Sequence, residues 1–579
     1  MRFAIRIMPV PEGFDREGSF CGCQASPTMK TEASHDCPAK TVASFAKSFY
    51  YAKIFGDSQT CKPVEVMPET IVLTGDNLDF DKALKIIYDR APVAIAEEAR
   101  QRVRQARAVV ERRLADGKPI YGINTGFGKL ADVRISADHL DELQENLVLS
   151  HACGVGDPIP GEAVRAILLF KINTLIKGYS GVREEVVDAL LALLNRNVLP
   201  VIPEKGSVGA SGDLAPLAHL ALVLLGRGKA AIDGKIVTGD EAMKHAGVRP
   251  LRLKAKEGLA LLNGTHFMLG LGAVNWAKAQ QLARTADLIG GLTTEAVLGT
   301  PVAFDERIQR ARGYAGQIES ARRLRRVLED SPIRESHRTC SRVQDPYCIR
   351  CIPQVHGAVH EHLSHLKNML TTEMNAATDN PLIFIEDGEI LSGGNFHGHP
   401  IATTLDFLAI LAAQLSNISE RRIALMMDSN LSDLPAFLVA ESGLNSGFMI
   451  AQVTAASLVS ENKVLAHPAS VDSIPTSANK EDYVSMGAQA AVKAYQVLHN
   501  LATVLGIELL CACQSLDLRR PLEPGPVGKR VLQRVRRDIA FMQSDRFLAE
   551  DIEKARDFVW NDRLYPLVQD LIESKRGSD

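Results

Sequence analysis

Apolar residues recur every three to four positions along most of the chain, the spacing that places them on one face of an α-helix. In the first half this spacing predicts helices over 81–116, 138–153, 161–176 and 182–195, and another from Asp213 to about Gly226. In the second half it predicts longer helices over 266–290, 354–374, 402–427, 447–465 and 484–514. Alternating runs are short and lie near 230–237 and 382–391, where they predict hairpins. We therefore expect a mainly α fold.

The same pattern divides the chain into three stretches. Residues 1–66 lack sustained periodicity and scatter Cys, Pro, Ser and Gly, so we interpret them as an N-terminal extension that is disordered or not native. Four cysteines lie there, but without the paired spacing of a metal site. Residues 67–265 predict a smaller N-terminal domain that carries a glycine-rich loop, and residues 266–579 predict a long antiparallel helical bundle.

Composition and charge narrow the classes of protein. Apolar residues make up 46% of the 579 residues, enough for a large core. The 66 basic and 69 acidic side chains balance to a net charge of −3, without a basic stripe, so we expect no nucleic-acid partner. We find no run of the roughly 20 uninterrupted apolar residues that a membrane span needs. With ten cysteines in a long chain and no signal-peptide pattern, we expect a reduced cytoplasmic protein.

The glycine-rich loop at 203–212 contains the tripeptide Ala210-Ser211-Gly212. If the loop bends tightly, the Gly212 nitrogen can attack the Ala210 carbonyl and close a five-membered ring. Loss of water and of the Ser211 hydroxyl then leaves a 4-methylidene-imidazol-5-one, an electrophile that no ordinary side chain supplies. The glycines favour the bend, and the helix that starts at Asp213 would stabilise negative charge on the ring. Taken alone, however, such a loop is typical of a turn or an anion-binding nest.

Motifs elsewhere in the chain give the tripeptide a context. They are YGINTGFG at 121–128, LSHA at 149–152, GSVGASGDLAPLA at 206–218, EGLALLNGT at 257–265, QDPYCIR at 344–350, GGNFH at 393–397, NSGFM at 445–449, SANKED at 477–482 and LDLRR at 516–520. In these motifs and in their order, the chain resembles the histidine ammonia-lyase family from about residue 70 to the C-terminus. The resemblance extends to the related phenylalanine and tyrosine enzymes.

The resemblance implies removal of ammonia from an aromatic α-amino acid by means of the methylidene-imidazolone. It implies catalytic roles for Tyr121, Ala210, Ser211, Gly212, Tyr347 and Glu481, and substrate contacts for His151, Asn263, Gln344, Arg350, Phe396 and Met449. Tyr121 matches the base that takes the β-proton, although a free tyrosine has a pKa of about 10 and needs help near neutrality. Arg350 matches the clamp on the substrate carboxylate, where a guanidinium fork fits two oxygens. Without the resemblance, such residues are typical of core packing or surface salt bridges.

His151, Glu481 and Met449 bear on which amino acid is used. An imidazole ring needs hydrogen-bond partners, which a histidine and a carboxylate supply. A phenyl ring would leave those groups unpaired, at a cost of about 1–3 kcal/mol each. The resemblance therefore implies conversion of L-histidine to trans-urocanate.

Several residues depart from the histidine enzymes, and they keep other substrates open. They are Lys480, Tyr483, His399 and Pro301-Val302. Tyrosine enzymes also carry a histidine at the position of His151. A tyrosine or phenylalanine ammonia-lyase, or a 2,3-aminomutase, is therefore an alternative within the family. An inactive helical scaffold is the alternative from another class.

The resemblance also implies a homotetramer whose active sites combine residues from three subunits, with no metal and no nucleotide.

Two further motifs look like sites of another kind, a zinc site and a redox site. His356 and His360 are spaced like a zinc-binding pair, but Ser364 stands where an HExxH motif needs its second histidine. Cys348 and Cys351 imitate a redox CxxC motif, but they lie inside the motif at 344–350 and outside any βαβ pattern. We interpret both pairs as structural.

Overall fold

Helices dominate the computed structural model, which describes residues 69–339 and 343–574. The first half of the chain forms α1 (Phe80–Ile87), α2 (Glu97–Ala115), α3 (Leu140–His151), α4 (Gly161–Ile176), α5 (Glu184–Asn195), α6 (Leu214–Leu224), α7 (Gly239–Ala246) and α8 (Glu257–Leu262). The second half forms α9 (His266–Ala296), α10 (Glu306–Arg312), α11 (Ala315–Val327), α12 (Pro332–Glu335), α13 (Tyr347–Arg350), α14 (Ile352–Met374), α15 (His399–Met427), α16 (Ser429–Ser432), α17 (Met449–Leu465), α18 (Gly487–Leu518), α19 (Pro526–Arg536), α20 (Ala549–Trp560) and α21 (Tyr565–Glu573). The predicted mainly α class is confirmed.

The strands are short and form small, separate sheets. They are β1 (Ile71–Leu73), β2 (Val93–Ile95), β3 (Val155–Pro158), β4 (Leu199–Pro200), β5 (Pro203–Lys205), β6 (Lys229–Ile232), β7 (Lys235–Thr238), β8 (Leu382–Phe384) and β9 (Glu389–Leu391). The β6–β7 and β8–β9 pairs confirm both predicted hairpins. The loop predicted over 203–212 is shorter than expected, because residues 203–205 pair with β3 as strand β5.

The core lies between the long helices of the second half. Helices α9, α15 and α18 pack against one another, and each is apolar on more than one face, as expected of helices with neighbours on several sides. The length and composition of α15 and α18 would also suit a membrane span, but 72% and 83% of their apolar stretches are buried inside the protein. They are therefore the central helices of the predicted bundle.

All described residues belong to one compact unit. The predicted boundary between two domains, at residues 265 and 266, falls where α9 begins, and the division stays a prediction. The N-terminal extension predicted at 1–66, with its four cysteines, lies outside the described residues.

Most predicted helices are confirmed, with ends that differ by a few residues. The continuous helix predicted over 81–116 is wrong, because α1 ends at Ile87, β2 follows, and α2 begins at Glu97. Arg90 has a positive φ of 56°. Pro92 offers no N–H to a helix and restricts the residue before it. The break allows β2 to pair in parallel with β1.

A buried polar network joins the bundle helices and accounts for the histidine pair. The Asp287 carboxylate lies 3.0 Å from His356 Nδ1 and 2.8 Å from His360 Nε2. Burial by itself would raise the pKa of Asp287, but the two imidazoles hold it well below its usual value. Nearby, Arg422 donates to both oxygens of Glu508 at 2.6 and 2.9 Å, and both side chains are fully buried. In the described part of the chain, no group of three or more His, Cys, Asp or Glu side chains is placed to hold a metal ion.

Candidate active site

The loop at 206–212 is bent by an unusual run of backbone angles. Gly209, Ser211 and Gly212 have φ values of 78°, 53° and 78°, in the left-handed region that only glycine adopts without strain. Gly212 lies directly against Gly264, so that a Cβ at residue 212 would be 2.3 Å from the Gly264 carbonyl oxygen. That oxygen accepts a hydrogen bond from the Asp213 N–H at 2.8 Å. The predicted tight bend at Ala210-Ser211-Gly212 is therefore present and requires glycine at 212.

The N-terminal ends of several helices surround this loop. The Met486 N–H, just before α18, donates to the Val208 carbonyl at 2.9 Å, and Gln489 Nε2 donates to the Ser207 carbonyl at 2.8 Å. A Cβ on Gly209 would lie 2.1 Å from Ser485 Oγ, which shows how closely the two segments approach. Because α6, α9 and α18 all begin beside the loop, their positive ends favour negative charge there.

Asp213 occupies the N-cap position of α6, as predicted, but its carboxylate caps a different helix. Its side chain makes no cap hydrogen bond to α6 and instead accepts from the N–H groups of Phe267 and Met268 at 3.1 and 3.0 Å. These are among the free N–H groups at the start of α9. Complete burial raises the pKa of Asp213 to about 7. Asp213 thus ties the loop to the first turn of α9.

Asn263 and Lys171 hold the other side of the loop. Asn263 Nδ2 donates to the Ser211 carbonyl at 3.0 Å, and Lys171 Nζ donates to the Asn263 carbonyl at 2.7 Å. Lys171 is fully buried, and burial lowers its pKa to about 7. Sequence reasoning predicted Asn263 but missed Lys171. The signal was a single lysine inside the otherwise apolar run LLFKI of α4, where a charged residue needs a buried partner.

Glu481 meets the loop from a third direction. Ser211 Oγ donates to Glu481 Oε1 at 3.1 Å, and Thr476 Oγ1 donates to Glu481 Oε2 at 2.8 Å. Backbone hydrogen bonds between residues 476 and 481, at 2.9 and 3.3 Å, close the segment into a small loop. At its tip Ser477, Ala478 and Asn479 have φ values of 49°, 52° and 63°. Thr476 is a further residue that sequence reasoning missed.

Tyr121 and His151 lie within range of the Glu481 charge. Burial raises the pKa of Tyr121, and Glu481 raises it further, although the Gly128 N–H that reaches the phenol oxygen at 3.5 Å opposes this. Burial lowers the pKa of His151, and the Leu147 carbonyl and Glu481 partly offset that effect. His151 Nδ1 lies 2.8 Å from the Leu147 carbonyl oxygen. Both predicted residues are therefore grouped with Glu481 and Ser211.

An aromatic cluster lies beside the same end of the bundle. Phe396 is half-buried in the turn before α15. The rings of His397 and Tyr483 are 5.9 Å apart and nearly parallel, and the His399 ring is 6.3 Å from that of Tyr483. A Cβ on the intervening Gly398 would lie 3.2 Å from Ser485 Oγ, which also borders the loop. Two of the residues that depart from the histidine enzymes, His399 and Tyr483, are thus neighbours here.

The motif at 344–350 lies far from the loop within this chain. Gln344 and Tyr347 are exposed, and the half-buried Arg350 guanidinium lies 4.5 Å from the centre of the Tyr347 ring. The next helix begins with Ile352, whose side chain would touch a Cβ on Gly290 at 3.4 Å. Gly290 follows His266 by 24 residues along α9, which is about 36 Å at 1.5 Å per residue. The loop at 206–212 touches the first turn of α9, so the length of this helix separates the loop from the motif at 344–350.

Met449 also lies at the far end. The Phe448 N–H before it donates to the Phe437 carbonyl at 3.0 Å, and the adjacent Leu438 carbonyl accepts from Gln514 Nε2 at 3.1 Å. Gln514 follows Gly487 by 27 residues along α18, a distance of about 40 Å. One chain therefore places the predicted site residues in two groups. The loop group comprises Tyr121, His151, Ala210, Ser211, Gly212, Asn263, Phe396 and Glu481, and the far group comprises Gln344, Tyr347, Arg350 and Met449.

A bundle of long helices, with a strained Ala-Ser-Gly loop seated among their first turns, defines a class of lyase. The chain belongs to the aromatic amino acid lyase family, whose sequence model matches residues 78–537. It is 50% identical over 500 residues to a histidine ammonia-lyase of Caldanaerobacter subterraneus subsp. tengcongensis, covering 86% of this chain and 98% of that protein.

Solved structures give the same classification. The chain is similar to the crystal structure of histidine ammonia-lyase from Trypanosoma cruzi, with a TM-score of 0.79 and 42% identity over 88% of this chain and 99% of that one. It is also similar to a tyrosine aminomutase from Streptomyces globisporus, with a TM-score of 0.81 and 36% identity over 86% of this chain and 98% of that one.

Proposed function

We propose that this chain eliminates ammonia from L-histidine to give trans-urocanate, with a 4-methylidene-imidazol-5-one made from Ala210-Ser211-Gly212. The observation that carries the proposal is the bent loop at 209–212 with Glu481 hydrogen-bonded to Ser211. The relatives that share about half of its residues and are named histidine ammonia-lyases support the choice of substrate. The family as a whole acts on amino acids.

The residues of the loop fit the prosthetic group. The positive φ values at Ser211 and Gly212 already fold the tripeptide back on itself. The buried Asn263 Oδ1 has no hydrogen-bond partner in the described part of the chain, although its neighbouring Nδ2 holds the Ser211 carbonyl. An amide in that position is suited to a polar ring beside it. When formed, the group supplies an electrophile that captures the substrate.

The chain's own side chains then bind the substrate and move the proton. His151 and Glu481 present acceptors to the N–H groups of the imidazole ring, and Arg350 holds the carboxylate as a bidentate clamp. Tyr121 takes the β-proton. Because burial and Glu481 raise the pKa of Tyr121 within one chain, a nearby cation is needed to make it a base near neutrality. The guanidinium of Arg350 from another copy would supply that charge.

The separation of the two groups of site residues supports the homotetramer. Arg350 and Met449 cannot reach the loop of their own chain across a distance of about 36–40 Å, so other copies must bring them. Helix α17 begins at Met449 and exposes Ile450, Val453 and Val464 by 61%, 52% and 72%. An apolar helix face of this kind marks a protein interface. We therefore propose four copies, with each site built from three of them.

The cytoplasm is the proposed compartment. The described cysteines, Cys153, Cys348, Cys351, Cys511 and Cys513, are all free thiols, as is usual in a reducing environment. Neither a membrane nor a nucleic acid is a proposed partner, and the charge balance of −3 agrees with that.

A tyrosine ammonia-lyase or 2,3-aminomutase is the second candidate. The observation in its favour is the pairing of His399 with Tyr483 at 6.3 Å, since both residues depart from the histidine enzymes. A phenol also carries a donor that His151 and Glu481 can accept. Phenylalanine has no donor on its ring, so it would leave those acceptors unpaired.

Purified protein incubated separately with histidine, tyrosine and phenylalanine tests the proposal. We expect urocanate from histidine, and neither an unsaturated acid nor a β-amino acid from the other two. Intact mass should be lower than the sequence mass by two water molecules, which an unprocessed scaffold would not show.

In Ser211→Ala, this mass loss and most turnover should disappear, whereas Ser136→Ala, at an exposed turn, should match the wild type. Full activity in Ser211→Ala would rule out the proposed mechanism.

A further inference from the structure

The two oxygens of the Glu481 carboxylate have different partners. Oε1 accepts from Ser211 Oγ at 3.1 Å, and Oε2 accepts from Thr476 Oγ1 at 2.8 Å. Formation of the prosthetic group removes the Ser211 hydroxyl as water. Among the described residues, Thr476 is then the one side chain that still donates to this carboxylate. Oε1 is released toward the site, while Oε2 stays held.

Thr476 is itself fixed by the backbone around it. Its N–H donates to the Glu481 carbonyl at 2.9 Å, and the Glu481 N–H returns a bond to the Thr476 carbonyl at 3.3 Å. The left-handed turn at 477–479 completes this small loop. A Cβ on Gly128 would lie 2.4 Å from Ser477 Oγ, so the loop is pressed against the segment that reaches Tyr121. The Thr476 hydroxyl therefore has a defined position relative to both Glu481 and Tyr121.

We infer that Thr476 is a positioning residue, whose hydroxyl orients the Glu481 carboxylate toward the substrate ring once the Ser211 hydroxyl is gone. This inference rests on the proposed function, because it gives Glu481 a substrate to face. A hydrogen-bond donor to an ionised carboxylate restricts its rotation. Loss of the hydroxyl leaves the Glu481 carboxylate free to turn away from the substrate ring.

Thr476→Val removes the hydroxyl and keeps the shape of the side chain, whereas Thr476→Ser keeps the hydroxyl. The matched control is Thr372→Val, which removes an exposed hydroxyl that donates to the Asn368 carbonyl within α14. Three quantities are measured for each purified protein. They are the intact mass, the kcat for histidine and the KM for histidine.

We expect Thr476→Val to show the same loss of two water molecules as the wild type, so that the prosthetic group is present. Its kcat should fall about tenfold, the usual effect of losing one hydrogen bond to a charged group. Thr476→Ser should restore kcat, and Thr372→Val should leave it unchanged. If Thr476→Val does not fold, Thr476→Ala with the same readouts replaces it.

An unchanged kcat in Thr476→Val would overturn the inference. A Thr476→Ser protein as impaired as Thr476→Val would also overturn it, because the hydroxyl would then not matter. Failure of the proposed function has a different signature. In that case the wild type itself keeps its full sequence mass, or it converts none of the three amino acids.

Discussion

At the scale of single residues, one hydrogen bond decides what His151 offers to a ligand. Nδ1 lies 2.8 Å from the Leu147 carbonyl oxygen and 3.0 Å from Ser150 Oγ. Because a carbonyl oxygen can only accept, a proton on Nδ1 satisfies it and leaves Nε2 as an acceptor. Burial lowers the pKa of His151, which keeps the ring neutral near neutrality. Nε2 and the Glu481 carboxylate therefore both accept. A ring with N–H or O–H groups satisfies them, whereas a phenyl ring does not.

His151→Phe should consequently weaken the use of histidine. We expect kcat/KM for histidine to fall by about tenfold or more, because one acceptor for the imidazole is lost, while kcat/KM for phenylalanine rises. His139→Phe is the control, since His139 is exposed and its ring lies 3.0 Å from the exposed Glu142 carboxylate. Steady-state kinetics with the three amino acids measure the effect. Unchanged histidine kinetics in His151→Phe would remove this residue from the substrate pocket.

At the scale of elements, the long helices were predictable and the loop at 476–481 was not. Helices α9, α15 and α18 each bury continuous apolar stripes, which leave a period in the sequence. The path of 476–481 depends on distant contacts, such as Ser477 against Gly128. Ser and Ala give no signal for positive φ, and only Asn favours it. The motif at 477–482 therefore predicted Glu481, but not its partner Thr476.

The break between α1 and α2 was missed by the sequence-based prediction for a different reason. Apolar residues keep a helical spacing across it, but Arg90 and Pro92 end the helix locally. A proline inside a periodic stretch outweighs the period, because it lacks the N–H that the helix needs. The motifs named the candidate site residues, but they carried no information on which end of the bundle each one occupies.

The strained turn at 477–479 gives a stability prediction at this scale. Ala478 has a φ of 52°, which costs a residue with a Cβ about 1 kcal/mol and costs glycine nothing. Ala478→Gly should therefore raise the melting temperature. Ala108→Gly is the control of opposite sign, because Ala108 is exposed inside α2 and glycine there costs about 1 kcal/mol. Calorimetry measures the melting temperature of both variants. A lower melting temperature in Ala478→Gly would contradict the prediction that residue 478 is strained.

At the scale of the whole molecule, the arrangement of the proposed site residues predicts that activity depends on assembly. The loop group and the far group lie about 36–40 Å apart along α9 and α18. Thr293 on α9 donates to Glu508 on α18 at 2.8 Å, and Glu508 also pairs with the buried Arg422 of α15, so these contacts hold the helices in register. In the proposed assembly, the bundle sets the distance that a neighbouring copy has to match.

Helix α17 is the part of the surface on which that assembly is predicted to depend. Val453→Asp places a charge on its exposed apolar face, and burying an unpaired charge in an interface is costly. We expect the variant to sediment as smaller species and to lose turnover, with its helix content unchanged. Ile236→Asp, on the exposed side of the β6–β7 hairpin, is the matched control. A Val453→Asp protein that remains a tetramer would assign the interface to another face.

The division of the site between the two ends of the bundle has a genetic consequence. In the proposed mechanism a copy with Ser211→Ala lacks a competent loop and a copy with Arg350→Ala lacks the carboxylate clamp, so we expect either variant alone to assemble into an inactive enzyme. When both variants are made in one cell, some sites combine the unmodified loop of one copy with the unmodified arginine of the other. The two inactive alleles should then complement each other. Cells that carry both should recover part of the growth on histidine that cells with either allele alone lack.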